Sequence, residues 1–222
     1  MPARTQITRL RFVNCYLVDE DDGLTLVDTT VGGGAKTILA AAQRLGKPIK
    51  RIALTHAHGD HIGSVDELVE RLGEVDVLIS PRAARFMAKD MSLDPGEEKG
   101  KLRGSWPGAK TQPTRTVSPG DRIGSLEVVA APGHTPGHVA FLDSRDRTLY
   151  CGDAYTTIGG VETTARVPIR FPLAGMVTWH RPTALESARA LRALDPAALA
   201  PGHGKIVESP GPAMDEAIKR AS

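Results

Sequence analysis

Thr55-His56-Ala57-His58-Gly59-Asp60-His61 is the stretch on which the reading of this chain turns. Four side chains able to bind a metal ion fall within six positions of it. The run follows the apolar, β-type segment Arg51-Ile52-Ala53-Leu54 and precedes Gly63-Ser64 and a helix-like pattern, so it reads as a loop at the end of a strand. In extended backbone, residues two apart point the same way, which lets His56 and His58 reach one ion together. A turn at Gly59 then sends Asp60 and His61 toward a second point. A lone loop histidine is more often a surface or hydrogen-bonding residue. His-x-His-x-Asp-His spacing reverses that preference and makes metal binding the reading.

Working outward, residues 6–18 alternate enough for a strand, and Leu24 to Val27 form a second that ends at Asp28-Thr29-Thr30. Ile38, Leu39, Ala42 and Leu45 predict a helix from Ala35, ended by Gly46 and Pro48. A strand at Ile52 to Leu54 leads into the histidine run. Val65, Leu68, Val69 and Leu72 predict the next helix, stopped at Gly73, and Val75 to Ile79 another strand. Residues 82–118 are too long for an ordinary connection and read as a short helix plus a mobile flap. Strand patterns return at Ile123, Leu126 to Ala130, Ala140 to Leu142 and Thr148 to Cys151. A second irregular stretch runs from Ala154 to Thr178. A helix over 179–194, a short strand at Leu199-Ala200 and an amphipathic segment over 211–220 complete the chain. The interleaving, with hairpin-like pairs in both halves, predicts a mixed α/β (α+β) fold in one domain over 1–222. Two sheets pack face to face, with helices outside.

Composition narrows the function classes. The 222 residues are 41% hydrophobic and 24% charged, which suits a globular chain with a real core. The net charge of +2 is spread without a Lys/Arg run, so no nucleic-acid or membrane partner is expected. No apolar run reaches the ~18–20 residues of a membrane span, and Met1-Pro2-Ala3-Arg4-Thr5-Gln6 lacks the apolar core of a secretory signal. Cys15 and Cys151 form no disulfide framework, and Cys151 reads as a small core residue. A cytoplasmic setting is the expectation, with a homodimer allowed.

Further ligand types stand at other strand ends. His134 lies in Ala131-Pro132-Gly133-His134-Thr135-Pro136-Gly137-His138, and His203 in Ala200-Pro201-Gly202-His203-Gly204. Asp153 closes Leu149-Tyr150-Cys151-Gly152-Asp153. Gly and Pro hold such loops in fixed geometry. If the strands lie side by side, their ends converge on one rim. His56, His58, Asp60, His61, His134, Asp153 and His203 are too many ligands for one zinc-like ion, which takes four or five. They fit two divalent ions: His56, His58 and His134 on one, Asp60, His61 and His203 on the other, with Asp153 able to bridge. Zinc suits this set best, with iron and manganese as alternatives. Asp28 is expected to orient a histidine through a hydrogen bond, and His138 and His180 are read as structural.

These motifs resemble the metallo-β-lactamase superfamily: the Thr55–His61 run, Gly133-His134-Thr135-Pro136-Gly137-His138, Gly152-Asp153 and Pro201-Gly202-His203-Gly204 fall in the family's order. The resemblance implies a four-layer αβ/βα sandwich with a metal site on one rim. It is specific for the fold and weak for the substrate. Asp153 argues against a true β-lactamase, which lacks a bridging aspartate, and His58 argues against the flavodiiron-type members. The chain is similar to the family's small lactonases and to glyoxalase II, without the C-terminal helical domain of the latter. The implied function is a dinuclear hydrolase that cleaves an ester, lactone or thioester by a metal-bridging hydroxide. The alternative is a mononuclear iron oxidoreductase of the persulfide dioxygenase type. Tyr155, two residues past Asp153, is similar in place to a tyrosine of the lactonases and is expected to stabilise the oxyanion. Asp60 is expected to be both ligand and proton carrier. Met87 and Trp106 on the first irregular stretch, and Tyr155, Phe171, Leu173 and Met176 on the second, are the candidate contacts to a small-molecule substrate.

Overall fold

A computed structural model describes residues 4–222. The first half contains strands β1 (Arg4–Arg9), β2 (Val13–Glu20), β3 (Gly23–Val27), β4 (Ile49–Ala53), β5 (Asp76–Ile79) and β6 (Arg115–Thr116). It also contains helices α1 (Ala35–Leu45), α2 (Gly59–Ile62), α3 (Val65–Leu72) and α4 (Pro81–Met87). The second half contains β7 (Arg122–Ile123), β8 (Leu126–Ala130), β9 (Val139–Asp143), β10 (Thr148–Gly152), β11 (Tyr155–Thr156), β12 (Glu162–Thr163), β13 (Ala198–Pro201) and β14 (Val207–Glu208). Its helices are α5 (Pro172–Met176), α6 (Arg181–Ala193) and α7 (Gly211–Ala221).

β1 to β6 form one six-stranded sheet in chain order, and the other six-stranded sheet runs β14-β13-β10-β9-β8-β7. The side-chain period of two explains why these sheets stack. Along β2, Cys15 and Leu17 point toward the α1 and α3 side, while Tyr16 and Val18 point between the sheets. β5 repeats this with Val77 and Ile79 on the helix side and Leu78 between the sheets. On the second sheet, Val139 and Phe141 face the first sheet, whereas Ala140 and Leu142 face Ala188, Leu191, Met214 and Ala217 of α6 and α7. Three apolar layers therefore separate helix, sheet, sheet and helix, as the four-layer expectation requires. None of the helices among the described residues is long and apolar enough to cross a membrane.

The expected single strand over 6–18 is instead a hairpin. Arg4 pairs with Val18 and Arg9 with Val13, and Leu10 and Arg11 turn the corner at φ of 49° and 72°. Two consecutive positive φ values match the twist of a tight hairpin. Asn-Gly is the usual signal for such a turn, and Leu-Arg carries none. The 88–114 stretch is tied down at several points: Arg82 to Glu97, Arg85 to Asp90 and Asp94, and the Asp66 carboxylate to the backbone of Lys110 and Thr111. The 154–178 stretch holds the β11–β12 hairpin and α5.

β3 and β4 are parallel, as are β10 and β13, and β8 runs antiparallel to β9, which is antiparallel to β10. The loops after β3, β4, β8, β10 and β13 consequently open on the same rim. Bonds between the sheets fix that rim: Val139 N–H donates to the Thr55 carbonyl at 3.0 Å, and the Tyr16 hydroxyl to the Pro201 carbonyl at 2.6 Å.

Candidate metal centre

The β4 strand delivers His56 and His58 in extended backbone, and the short helix α2 begins immediately after His58. That change of conformation turns Asp60 and His61 away from the first pair. The loops after β8, β10 and β13 bring His134, Asp153 and His203 to the same place. Three donor groups result, each with its ligand atoms within 4.8 Å of one another: His56, His58 and His134; His56, His61 and Asp153; Asp60, His61 and His203. Asp153 stands between the halves. One of its oxygens is 3.4 Å from His134 Nε2 and 3.2 Å from His203 Nε2, and the other is 3.4 Å from His61 Nε2. Asp60 Oδ2 is 3.3 Å from His203 Nε2.

Each of the five histidines is fixed from outside through one ring nitrogen. His61 Nδ1 donates to Asp28 Oδ2 at 2.8 Å, the orienting role expected of Asp28. The same carboxylate accepts from the backbone and hydroxyl of Thr55, and the Thr55 hydroxyl lies 3.0 Å from His56 Nδ1. His134 Nδ1 is 3.2 Å from the Thr178 hydroxyl, which itself donates to the Ala174 carbonyl and so accepts from the imidazole. His203 Nδ1 donates to the Phe12 carbonyl at 3.1 Å, and His58 Nε2 to the Arg103 carbonyl at 3.0 Å. With those nitrogens protonated, the inner ones carry lone pairs. His58 Nδ1 then faces His56 Nε2 at 3.2 Å and His134 Nε2 at 3.1 Å, an arrangement that repels unless a cation lies among them. His61 Nε2 and Asp153 Oδ1 are buried without a hydrogen-bond partner, although buried polar atoms almost always have one. This donor chemistry fits divalent metal ions.

Electrostatics divides the cluster. Burial holds His56 and His134 well below the ordinary imidazole range, His58 at about 4 and His138 at about 3, so these rings are neutral. At His61 and His203 burial also works downward, but the facing carboxylates prevail. His61 is raised well above its usual range by Asp153, Asp28 and Asp60, and His203 is raised to about 9 by Asp153 and Asp60. Burial pushes the two aspartates upward; His61 and His203 overcome it and hold both below the carboxylate range. Three neutral imidazoles thus sit beside a carboxylate-rich half.

His138 serves the site without facing its centre, since its Nε2 accepts from the Asp153 backbone N–H at 3.1 Å. Gly152, at φ 48°, permits this: a Cβ there would lie 2.7 Å from His138 Nε2 and 2.8 Å from the Thr55 hydroxyl. His180 lies apart, its Nδ1 bonded to the Thr183 hydroxyl.

The cluster opens into a cleft of about 600 Å³ lined by His58, Asp60, Asp153 and His203 from the cluster, and by Phe12, Phe171 and Leu173 among others. Four expected substrate contacts lie elsewhere. Tyr155 is buried, and its hydroxyl donates to the Ala188 carbonyl of α6 at 2.7 Å, so it anchors β11 to that helix and does not face an oxyanion. Met87 is buried in the core under α4, and Met176 is half exposed outside the lining. Trp106 stacks edge-on against His58 at 4.3 Å and against Phe86, and its Nε1 donates to Arg103; it braces a histidine and does not line the cleft. Phe171 does line it. Leu173, also expected on the second irregular stretch, lines it too, whereas Phe12 was not anticipated. Phe12 sits beside the unsignalled hairpin turn at Leu10 and Arg11.

The chain belongs to the metallo-beta-lactamase superfamily, whose family model matches residues 8–203. It is similar to YobT of Bacillus subtilis (strain 168), at 41% identity over 94% of this chain and 90% of that protein. The probable metallo-hydrolase YflN of the same organism is 30% identical over 90% of this chain and 81% of its own length. A hydroxyacylglutathione hydrolase of Xanthomonas axonopodis pv. citri (strain 306) is 33% identical, but the match spans 64% of this chain and only 46% of that protein. Among solved structures, TTHA1623 in a di-iron-bound form superposes with a TM-score of 0.68 at 28% identity, covering 93% of this chain and 94% of that one. The B3 metallo-beta-lactamase BLEG-1 superposes at 0.70 and 22% identity, over 94% and 95% of the two chains, a likeness of fold. Family, metallo-hydrolase relatives and the His/Asp cluster together support a metal-dependent hydrolase.

Proposed function

We propose that this protein is a dinuclear metal-dependent hydrolase that cleaves an ester, lactone or thioester of a small molecule. The observation that carries the reading is Asp153, whose carboxylate lies within reach of both histidine sets, 3.4 Å from His134 of the first and 3.2 and 3.4 Å from His203 and His61 of the second. A carboxylate so placed would be shared by two ions, with His56, His58 and His134 holding one and Asp60, His61 and His203 the other. Such a pair would supply an acidified water and Lewis-acid polarisation of a carbonyl. The chain's own residues do the rest. Asp28, Thr55, Thr178 and the carbonyls of Phe12 and Arg103 set the tautomers, so no donor reorients during turnover. Asp60 is the one cluster carboxylate with substantial exposure, its side chain 34% accessible, and it faces the cleft. Lying 3.3 Å from His203 Nε2 at the mouth of the cluster, it is the carboxylate placed to relay a proton there. Zinc and iron both suit the donors. The name of YflN supports hydrolysis in general, and the thioester among the options follows the hydroxyacylglutathione hydrolases.

Metal analysis of the purified protein, combined with a panel of chromogenic esters, lactones, thioesters, phosphodiesters and β-lactams, tests the proposal. The expected result is two metal ions per chain and turnover confined to carboxylic esters, lactones or thioesters. Asp153→Ala is expected to lower bound metal to one equivalent or less and to reduce turnover by ~10³-fold or more while the far-UV spectrum is unchanged. One iron per chain with oxygen consumption on a persulfide would replace this reading by an oxidative one.

A further inference from the structure

The cleft beside the cluster is walled by apolar side chains. Phe12, Val31, Ile62, Phe171, Leu173 and Val177 line it, and no Lys or Arg does. Outside the metal-binding residues, the one charged lining side chain is Asp66, whose carboxylate accepts from the backbone of Lys110 and Thr111 and from the Thr111 hydroxyl. The apolar wall reaches the reactive centre directly. Phe12 and Phe171 pack ring to ring at 5.6 Å, and both lie against His203, at 6.0 and 5.0 Å. Leu173 also lines the cleft and is 56% exposed, one of few large apolar side chains left open to solvent among the described residues. Scattered exposed leucines need no explanation, but one that continues a concave aromatic wall away from a metal cluster does.

Resting on the hydrolase reading above, we propose that this wall is the acyl site. The cleft selects substrates whose acyl group is uncharged and apolar, laid along Phe12, Phe171 and Leu173 with its carbonyl at the cluster. It discriminates against acyl groups that end in a carboxylate. The reason is one of poor partners: a carboxylate laid along Phe12, Phe171 and Leu173 would lose water and meet no Lys or Arg, with the Asp66 charge in the same lining and Ser105 the one neutral hydroxyl there. A methylene chain loses only unfavourable contact with water. The volume of about 600 Å³ is in the range of small-molecule sites and accommodates a medium-length chain.

The test uses the metal-loaded protein with p-nitrophenyl acetate, butyrate and octanoate, and with the p-nitrophenyl monoester of suberic acid, which matches octanoate in length but ends in a carboxylate. kcat/KM is expected to rise by about tenfold or more from acetate to octanoate, as burial of successive methylenes requires. The suberate monoester should fall below octanoate by a similar factor. Leu173→Lys should narrow both gaps, whereas Ile169→Lys, at a side chain 91% exposed and outside the lining, should leave them as they are. A profile flat with chain length, or a preference for the suberate monoester, overturns the proposal while leaving the hydrolase reading intact. Binding of octanamide against acetamide by ligand-observed NMR reads the same wall without catalysis. If no ester is hydrolysed but octanamide alone binds, and Leu173→Lys weakens it, the acyl site stands and the hydrolase reading falls. If octanamide does not bind, the acyl site falls whatever the turnover shows.

Discussion

At the scale of single residues, the centre depends on which nitrogen of each ring is protonated. Asp28, Thr55 and Thr178 fix three rings by side chains, but His203 and His58 are fixed by carbonyls of Phe12 and Arg103. The seven donors could be recognised from their types and spacing. Their outward partners could not, because a backbone carbonyl has no residue signature and these two come from 191 and 45 positions away. The grip on His58 gives a sharp prediction. Gly104 has φ 98°, and a Cβ there would lie 2.6 Å from His58 Nε2. Gly104→Ala therefore both strains the turn and displaces the ring. Its expected effect is ~10–100-fold weaker binding at the ion held by His56, His58 and His134, measured by competition with a chromogenic chelator. The melting temperature of the metal-free protein should move little, since residue 104 lies in an exposed turn outside the core.

At the scale of elements, strands with strong alternation and helices with clear ends are where the sequence places them, because each buries a periodic face. The β1–β2 hairpin escaped because its turn uses Leu10 and Arg11 in a conformation that glycine or asparagine normally takes. Losing the turn meant losing Phe12. Tyr155 shows the converse error: its place two residues after Asp153 suggested chemistry, yet β11 points the ring toward α6. Tyr155→Phe is accordingly expected to lower stability by about 1 kcal/mol, the worth of a buried hydrogen bond, in denaturant titration. Its kcat should stay within about twofold of the parent; a loss of ~10²-fold would restore the oxyanion role. The turn after β9 gives a pH prediction. Asp143 is buried, and although burial pushes its carboxyl upward, bonds from the Arg145 guanidinium and backbone hold it below the usual range. A lowered carboxyl contributes stability that is fully present above its unfolded value, about 4. That contribution is lost as pH falls through the lower folded value. Asp143→Asn should therefore be less stable than the parent at pH 6, and the gap should close on acidification toward pH 3, read from thermal melts across that range.

At the scale of the whole molecule, both sheets and the loops after five strands meet in one centre, so metal loading and global stability are linked. Extracting metal with a chelator is expected to lower the melting temperature by ~2–4 °C for every kcal/mol of binding free energy lost, with recovery on adding back two equivalents. An unchanged melting temperature, with metal loss verified, would show that the rim is held by protein contacts alone. The spread of the donors along the chain has one more result. His56 and His134 are separated by about 80 residues and Asp60 and His203 by about 140, so the proposed ions would act as cross-links, and loops of that length lose much of their freedom when tied. In an unfolded chain such ties are statistically remote, and they become available only once both halves have docked. Capture of metal is then a checkpoint of completed assembly: a chain in which the second sheet has not closed on the first holds at most isolated pieces of the set, and its ions should exchange freely with solvent.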